Sequence, residues 1–204
     1  PGTEKELRAI AQALQAPPGS LILGEAFTEE AIKEAPLSDY RVVYFATHGL
    51  LPHELNCFSE PSLLTSRPGA KADDANDGLL KASEIVDLKL DANLVVLSAC
   101  NTGGPGDETG GESLSGLARA FFYAGARSML VTHWEIPDEP TVALMRENFA
   151  ALVQRGMTQA EALQAGQLAL MRDPKTAHPV NWGAFTVVGD GDQKLQSLKV
   201  AAVP

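Results

Sequence analysis

The chain has 204 residues, of which 45% are hydrophobic and 21% charged, a balance that is typical of a globular domain with one core and excludes a disordered chain. Its 26 acidic and 16 basic residues give a net charge of −10, which disfavours nucleic acid and anionic membranes as partners because both are bound mainly through Lys and Arg. No apolar run is long enough to cross a membrane, and two cysteines do not make a disulfide framework, so the sequence predicts a protein of a reducing compartment, the cytoplasm.

Helical and extended patterns alternate along the sequence. In the first half the predicted elements are a helix begun by the capping pair Thr3 and Glu6, a strand over 21–23, a helix from Thr28 to about Ala35, and strands over 42–47 and 94–99. In the second half they are a helix over 114–124 ended by Gly125, a strand over 128–132, a helix capped by Asp138 and ending near Gly156, a helix begun by Thr158 with Glu161, and a strand over 184–188. Strands that alternate with helices predict a mostly parallel sheet with helices on both faces, which is a three-layer α/β/α sandwich.

Two residues suited to catalysis follow two of the predicted strands. His48 comes directly after the strand over 42–47, and Cys100 directly after the strand over 94–99. The carboxyl ends of parallel strands meet at one edge of an open sheet, so we expect the imidazole and the thiol side by side. A single histidine or cysteine in such a position is more often structural, and it is the joint placement that indicates catalysis.

This pair has the chemistry of a cysteine hydrolase. A thiolate is the nucleophile, and a neighbouring imidazolium stabilises its charge, so His48 would activate Cys100. His48 would then protonate the leaving amine as a general acid. The backbone N–H groups of Gly49 and Cys100 are the candidates to hold the oxyanion, since a glycine lets a carbonyl group approach closely.

Four strings of the sequence carry a family resemblance: Ala46-Thr47-His48-Gly49, Leu97-Ser98-Ala99-Cys100-Asn101-Thr102-Gly103, Gly116-Leu117-Ala118-Arg119-Ala120-Phe121 and Asn181-Trp182-Gly183-Ala184-Phe185. Together they resemble the CHAT domain, a branch of the caspase-like cysteine peptidases, over about residues 1–190. Cys100 follows His48 by 52 positions, which is also close to the spacing found in caspases.

The resemblance implies a caspase-like fold and a cysteine endopeptidase that cleaves a protein or peptide substrate. His48 would be the general base, Cys100 the nucleophile and Gly49 part of the oxyanion site, with no cofactor. We expect residues 1–204 to form a single peptidase domain taken from a longer protein, because tetratricopeptide repeats often precede this domain in the family. Such repeats, or a separate sensor protein, are the expected partners besides the substrate.

The substrate preference depends on residues around the nucleophile. In basic-specific relatives such as the metacaspases, an Asp two places before the nucleophile receives the Arg or Lys of the substrate, and here that place is Ser98. Asp138 or Glu135 is then the candidate to receive a basic side chain, since both follow the strand over 128–132, and Trp134 is expected to form a pocket wall. Asp138 has a second interpretation as the cap of the next helix.

His133 is compatible with several roles, and one of them implies a different function for the chain. It ends a predicted strand where CHAT relatives tend to have Leu, so it would line the substrate pocket or offer a second base. With Glu135 it also forms the His-x-Glu that partners a strand-end Cys in class I glutamine amidotransferases, although Ser98 stands where those enzymes have Gly. A catalytically silent interaction module is a third possibility, because fold does not fix function.

The sequence also bears on metal binding and on a long loop beside the predicted cleft. The histidines and cysteines show no paired-Cys spacing, so no zinc site is predicted. The stretch from Leu50 to about Gly78 is predicted to be a long polar loop over the cleft, and Arg67 and Lys71 make self-cleavage within it a hypothesis.

Overall fold

The helices and strands are seen in a computed structural model that describes residues 2–50, 59–67, 76–98 and 112–195. The helices are α1 (Gly2–Ala13), α2 (Glu29–Glu34), α3 (Ala82–Ile85), α4 (Glu112–Ala124), α5 (Asp138–Gln154) and α6 (Gln159–Arg172). The strands are β1 (Val42–Phe45), β2 (Gly49–Leu50), β3 (Ser62–Leu64), β4 (Leu79–Lys81), β5 (Leu94–Leu97), β6 (Ser128–Thr132) and β7 (Phe185–Gly189).

The central sheet has the strand order β1-β5-β6-β7. Strands β1, β5 and β6 run parallel, and β7 pairs antiparallel with β6 at the edge. All residues of β1, β5 and β6 are buried, as expected for parallel strands that are covered on both faces. The sequence-based prediction of an α/β fold with a mostly parallel sheet is therefore confirmed, and the architecture is that of a caspase-like domain.

Successive residues of β1 point to opposite faces of the sheet and enter two separate cores. Phe45 packs against Phe121 of α4 with ring centroids 5.4 Å apart, in what we call the α4-side core. Tyr44 packs against Phe149 of α5 at 6.1 Å, in the α5-side core that α1 and α6 complete. The sheet is thus the middle layer of three, since each face buries its own set of side chains.

A second, antiparallel sheet of the order β2-β3-β4 begins directly after His48. The sequence predicts a long loop from Leu50 to about Gly78, so β3 and most of this small sheet were not expected. Its strands have only two or three residues, which is too short for alternation of apolar and polar residues to be recognised.

Several helix boundaries test the sequence-based predictions. Thr28 accepts a hydrogen bond from the Ala31 N–H at 3.2 Å, and Thr158 with Glu161 forms the predicted capping box. Helices α2, α5 and α6 therefore begin close to the positions that the sequence predicts. No helix among the described residues is both long and apolar enough to cross a membrane.

Three local predictions were wrong. Helix α1 already includes Gly2, so Thr3 lies inside its first turn and does not cap it. Residues 21–23 form no strand, although Ile22 still packs on the α4-side core while its neighbours pack on the α5-side core, which explains the misleading pattern. At the start of α5 the cap position is Pro137, so Asp138 is the first helical residue and not the cap.

Candidate active site

Strands β1 and β5, which precede the two predicted catalytic positions in the sequence, end at one edge of the sheet. They pair in parallel with Phe45 opposite Leu97, and the Ser98 N–H continues the ladder by donating to the Phe45 carbonyl at 2.9 Å. His48 and Cys100 each come three residues after this pair. Cys100 itself lies outside the described residues.

His48 presents an exposed side chain on an anchored backbone. Its carbonyl accepts a hydrogen bond from the Leu64 N–H at 2.8 Å, and the preceding Thr47 hydroxyl donates to the Leu64 carbonyl. These contacts tie the segment after β1 to β3. The imidazole is therefore accessible at the sheet edge while the chain that carries it is held in place.

Gly49 has a backbone N–H that the small sheet does not use. In an antiparallel ladder, residue pairs that exchange hydrogen bonds alternate with pairs that do not. The bond from Leu64 to the His48 carbonyl makes those two residues a hydrogen-bonded pair, so Gly49 and its partner Leu63 form the other kind. The Gly49 N–H consequently points away from β3, as a donor to an oxyanion would have to.

Ser98, two residues before Cys100, contacts a buried carboxylate. Its hydroxyl donates to Glu6 Oε1 at 2.9 Å, and the buried Tyr44 hydroxyl donates to the same oxygen. Glu6 is only 4% exposed. Burial raises the pKa of the Glu6 carboxyl, the two hydrogen bonds oppose that rise, and the nearby charge of Asp138 adds to it.

Glu6 is the residue of this region that the sequence analysis missed, because it was assigned to a capping pair with Thr3. Two signals in the sequence could have found it. A tyrosine in an otherwise aliphatic strand needs a hydrogen-bond partner for its hydroxyl, and Tyr44 is such a residue. Glu6 also lies one turn before Ile10, at the border of the face of α1 that carries Leu7 and Leu14.

His133 and Trp134 are directed toward β7 and the segment before it. His133 Nε2 lies 3.1 Å from the Thr186 hydroxyl, and the Trp134 indole N–H donates to the Val180 carbonyl at 3.0 Å. The Trp134 ring also lies 3.4 Å from where a side chain at Gly183 would begin. Because β7 is on the side of β6 away from β5, these two side chains are held away from the strand that leads to Cys100.

Asp138 and Glu135 are both exposed beyond the end of β6. Asp138 is the first residue of α5, and its negative charge contributes to the raised pKa of the Glu6 carboxyl. Ser98 thus contacts Glu6 by a hydrogen bond, whereas Asp138 acts on Glu6 through its charge. The predicted pocket residues fall into two groups, with His133 and Trp134 on the side of β7.

In the part of the chain that the structure describes, no group of three or more His, Cys, Asp and Glu side chains could hold a metal ion. A groove of about 740 Å³ is lined by residues of α5 and of the segment after α6, such as Pro140, Arg146 and Lys175. None of the predicted site residues lines it, so it is not the candidate active site.

Comparison with known proteins adds a family and two relatives. A family model of the CHAT domain matches residues 1–190. Tetratricopeptide repeat protein 28 of Homo sapiens is 26% identical over an alignment of 224 residues that covers 97% of this chain and 9% of the human protein. The protein of the same name from Mus musculus is 27% identical over the same shares. The chain thus spans less than a tenth of the length of the curated relatives it matches.

Proposed function

Because the chain belongs to the CHAT family, which is related to the caspase-like cysteine peptidases, we propose that it is a cysteine endopeptidase with Cys100 as nucleophile and His48 as general base and acid. The observation that carries the proposal is the parallel pairing of Phe45 with Leu97. This pairing brings the ends of β1 and β5 to the same sheet edge, three residues before His48 and three before Cys100. Neighbouring imidazole and thiol groups are what thiolate chemistry requires.

The reaction proceeds in two steps, acylation of Cys100 and hydrolysis of the acyl-enzyme. The Cys100 thiolate attacks the carbonyl carbon of the peptide bond, and the C–N bond then breaks as the His48 imidazolium gives its proton to the leaving amine. In the second step His48 takes a proton from water, whose oxygen attacks the acyl-enzyme and displaces the Cys100 sulfur. The N–H groups of Gly49 and Cys100 stabilise the oxyanion in both steps.

The substrate would lie along the edge where β5 ends. We propose that Ser98, whose hydroxyl group contacts Glu6, and Asp138 line a pocket on the α5 side of the sheet. His133 and Trp134 are proposed as its outer border, toward β7. We also propose that the domain works within a longer protein, since the relatives it matches are named for tetratricopeptide repeats, and in a reducing compartment, because Cys100 must stay a free thiol.

The alkylation rate of Cys100 across pH tests the proposal without a known substrate. Iodoacetamide would be applied to the wild type, His48→Ala and His133→Ala, and mass spectrometry would separate Cys100 from Cys57, which serves as the internal control. We expect Cys100 to react at least about tenfold faster than Cys57 near pH 6.5 and to lose that advantage in His48→Ala only.

The other outcomes point to the alternatives. An ordinary thiol titration that neither substitution changes would contradict the peptidase and indicate a silent interaction module. Loss of reactivity in His133→Ala alone would favour amidotransferase chemistry, which the contact of His133 with Thr186 does not favour. With a cleavable peptide in hand, His48→Ala should lower kcat by roughly 10²–10⁴ while Cys57→Ala leaves it unchanged.

A further inference from the structure

Glu6 of α1 connects the ends of two strands of the central sheet. Its Oε1 atom accepts a hydrogen bond from the Ser98 hydroxyl at 2.9 Å and another from the Tyr44 hydroxyl. Tyr44 belongs to β1, and Ser98 is the first residue after β5. One carboxylate oxygen therefore ties α1, β1 and β5 together on the α5 side of the sheet.

The hydrogen bond to Glu6 is the second of two anchors on Ser98. The first is the backbone, since the Ser98 N–H donates to the Phe45 carbonyl at 2.9 Å and continues the ladder between β1 and β5 by one residue. The Ser98 side chain lies on the same face of the sheet as Val96, two residues earlier, and so reaches α1. These two anchors restrict the orientation of Ser98 where the chain leaves the sheet toward Cys100, two residues later.

Glu6 does not support the fold in the way that the other buried glutamate of the described residues does. Glu29, which is 1% exposed, accepts two backbone N–H groups and forms an ion pair with Lys33 at 3.2 Å. Among the described residues, no Lys, Arg or His forms an ion pair with Glu6. A buried carboxylate without a cation lowers the stability of the folded state. Proteins accept such costs mainly at functional positions, so we expect a functional role for Glu6.

We propose that Glu6 is a positioning residue: through Ser98 it holds the end of β5 in the orientation that brings the Cys100 thiol next to the catalytic imidazole. The proposal rests on the proposed peptidase function. A misplaced thiol would lose the imidazolium that stabilises its thiolate, so Cys100 would titrate like an ordinary cysteine. The role requires an oxygen that accepts hydrogen bonds from two hydroxyl groups, and it does not require a negative charge. Glutamine can therefore replace Glu6, and leucine cannot.

The alkylation rate of Cys100 by iodoacetamide, measured across pH in Glu6→Leu and Glu6→Gln, tests this role. Leucine fills a similar volume but has no acceptor, and we expect the rate near pH 6.5 to fall at least about fivefold, toward that of Cys57. Glutamine keeps the acceptor, so the rate should stay within about twofold of the wild type. Urea denaturation of each variant verifies that the rate is measured on folded protein.

A double-mutant cycle shows whether the effect passes through Ser98. Ser98→Ala removes the hydroxyl group and keeps the backbone hydrogen bond to β1, so it should lower the alkylation rate about as much as Glu6→Leu does. Adding Glu6→Leu to Ser98→Ala should then change the rate by less than about twofold, because the contact is already lost. If Glu6→Leu does not fold, Ser98→Ala is compared with Ser98→Thr, which keeps a hydroxyl group and should keep the rate.

Two substitutions on α1 serve as controls. Glu4→Gln removes a charge at an exposed position that is paired with Arg8, and Ile10→Val loosens the packing of the same helix without removing the acceptor. Both should leave the alkylation rate within about twofold of that of the wild type. A loss in Ile10→Val as large as in Glu6→Leu would mean that any disturbance of α1 has this effect, and it would overturn the role of the carboxylate oxygen.

The outcomes distinguish this role from the peptidase activity itself. Ordinary reactivity of Cys100 in the wild type would overturn the peptidase and the positioning role with it. A reactive Cys100 that neither Glu6→Leu nor Ser98→Ala changes would overturn the positioning role and leave the peptidase intact. An equal loss in Glu6→Gln and Glu6→Leu would also overturn it, since the charge of Glu6 and not its position would then control the thiol.

Discussion

Glu6 makes the stability of the folded state depend on pH at the scale of a single residue. Burial raises its pKa from the ordinary 4.5, so the folded state holds the proton more tightly than the unfolded chain does. The cost of the buried charge is absent below the unfolded pKa and grows as pH rises through the folded pKa. The titratable groups that act on Glu6 are Tyr44, whose own pKa burial raises well above its usual value, and Asp138, which acts through its charge.

Replacing this carboxylate by its neutral isostere should therefore stabilise the protein at neutral pH. Glu6→Gln keeps an oxygen for the hydroxyl groups of Tyr44 and Ser98 and removes the buried charge. We expect a higher free energy of unfolding than in the wild type at pH 7, and a difference that shrinks as pH falls through the raised pKa of Glu6 toward the ordinary value of 4.5. Urea denaturation at several pH values measures this. A difference that stayed constant or widened at low pH would contradict it.

At the scale of the element, Gly125 joins α4 to β6 in a conformation that only glycine adopts without strain. Its φ of +112° is in the left-handed half of the map, and a Cβ there would lie 2.2 Å from the Leu90 carbonyl oxygen. The Leu90 N–H in turn donates to Ala124, the last residue of α4. The end of α4 and the segment that precedes β5 are thus in close contact at this glycine.

Gly125→Ala should cost more stability than an alanine at an open turn. Gly156 is the matched control, since its φ is +61° and a Cβ there would have nothing within 4 Å. We expect about 1 kcal/mol of destabilisation for Gly156→Ala, which reflects backbone conformation alone, and more than about 3 kcal/mol for Gly125→Ala, where the backbone must also move. Thermal or urea unfolding would compare the two, and similar losses would show that the contact with Leu90 relaxes freely.

Glu29 fixes another connection, between α2 and the start of β4. Its carboxylate accepts the N–H groups of Gly78 at 2.7 Å and Leu79 at 3.1 Å. Glu29→Ala would leave the buried Gly78 N–H unpaired and the Leu79 N–H with the Asp77 carboxylate as its remaining acceptor. It should cost about 1–3 kcal/mol, whereas Ala in place of the exposed Glu30 beside it should cost less than about 0.5 kcal/mol. Hydrogen exchange should show the Gly78 amide losing protection first. Unchanged protection in Glu29→Ala would contradict this role.

The elements also show which parts of the structure a single sequence can predict. The strand over 128–132 and the capping box of Thr158 and Glu161 were correct because local chemistry decides them. The capping role of Thr3 and the strand over 21–23 were wrong because packing against the sheet decides those positions. The sheet edge at His48 was predictable from strand order, but the contact of Glu6 with Ser98 joins residues 92 positions apart, which local patterns do not reveal.

At the scale of the whole molecule, the central sheet belongs to both cores at once. Tyr44 and Phe45 are neighbours in the chain, yet they pack against helices on opposite sides. A change on one face must therefore pass through the backbone hydrogen bonds of the sheet to reach the other. Single domains that share such a layer unfold as one cooperative unit, so the stability of the two cores should be coupled.

A large-to-small substitution in one core tests this coupling. Leu7 of α1 is fully buried in the α5-side core, and Leu7→Ala should cost about 2–5 kcal/mol. If the molecule is one unit, native-state hydrogen exchange should show the same loss at the slowest amides of α4, on the opposite face, as at those of α5. Leu168→Ala, at a position 38% exposed on α6, is the control and should cost less than about 1 kcal/mol. Loss confined to the α5 side would mean that the α4-side core, which carries the His48 segment through the small sheet, is stable independently of α1.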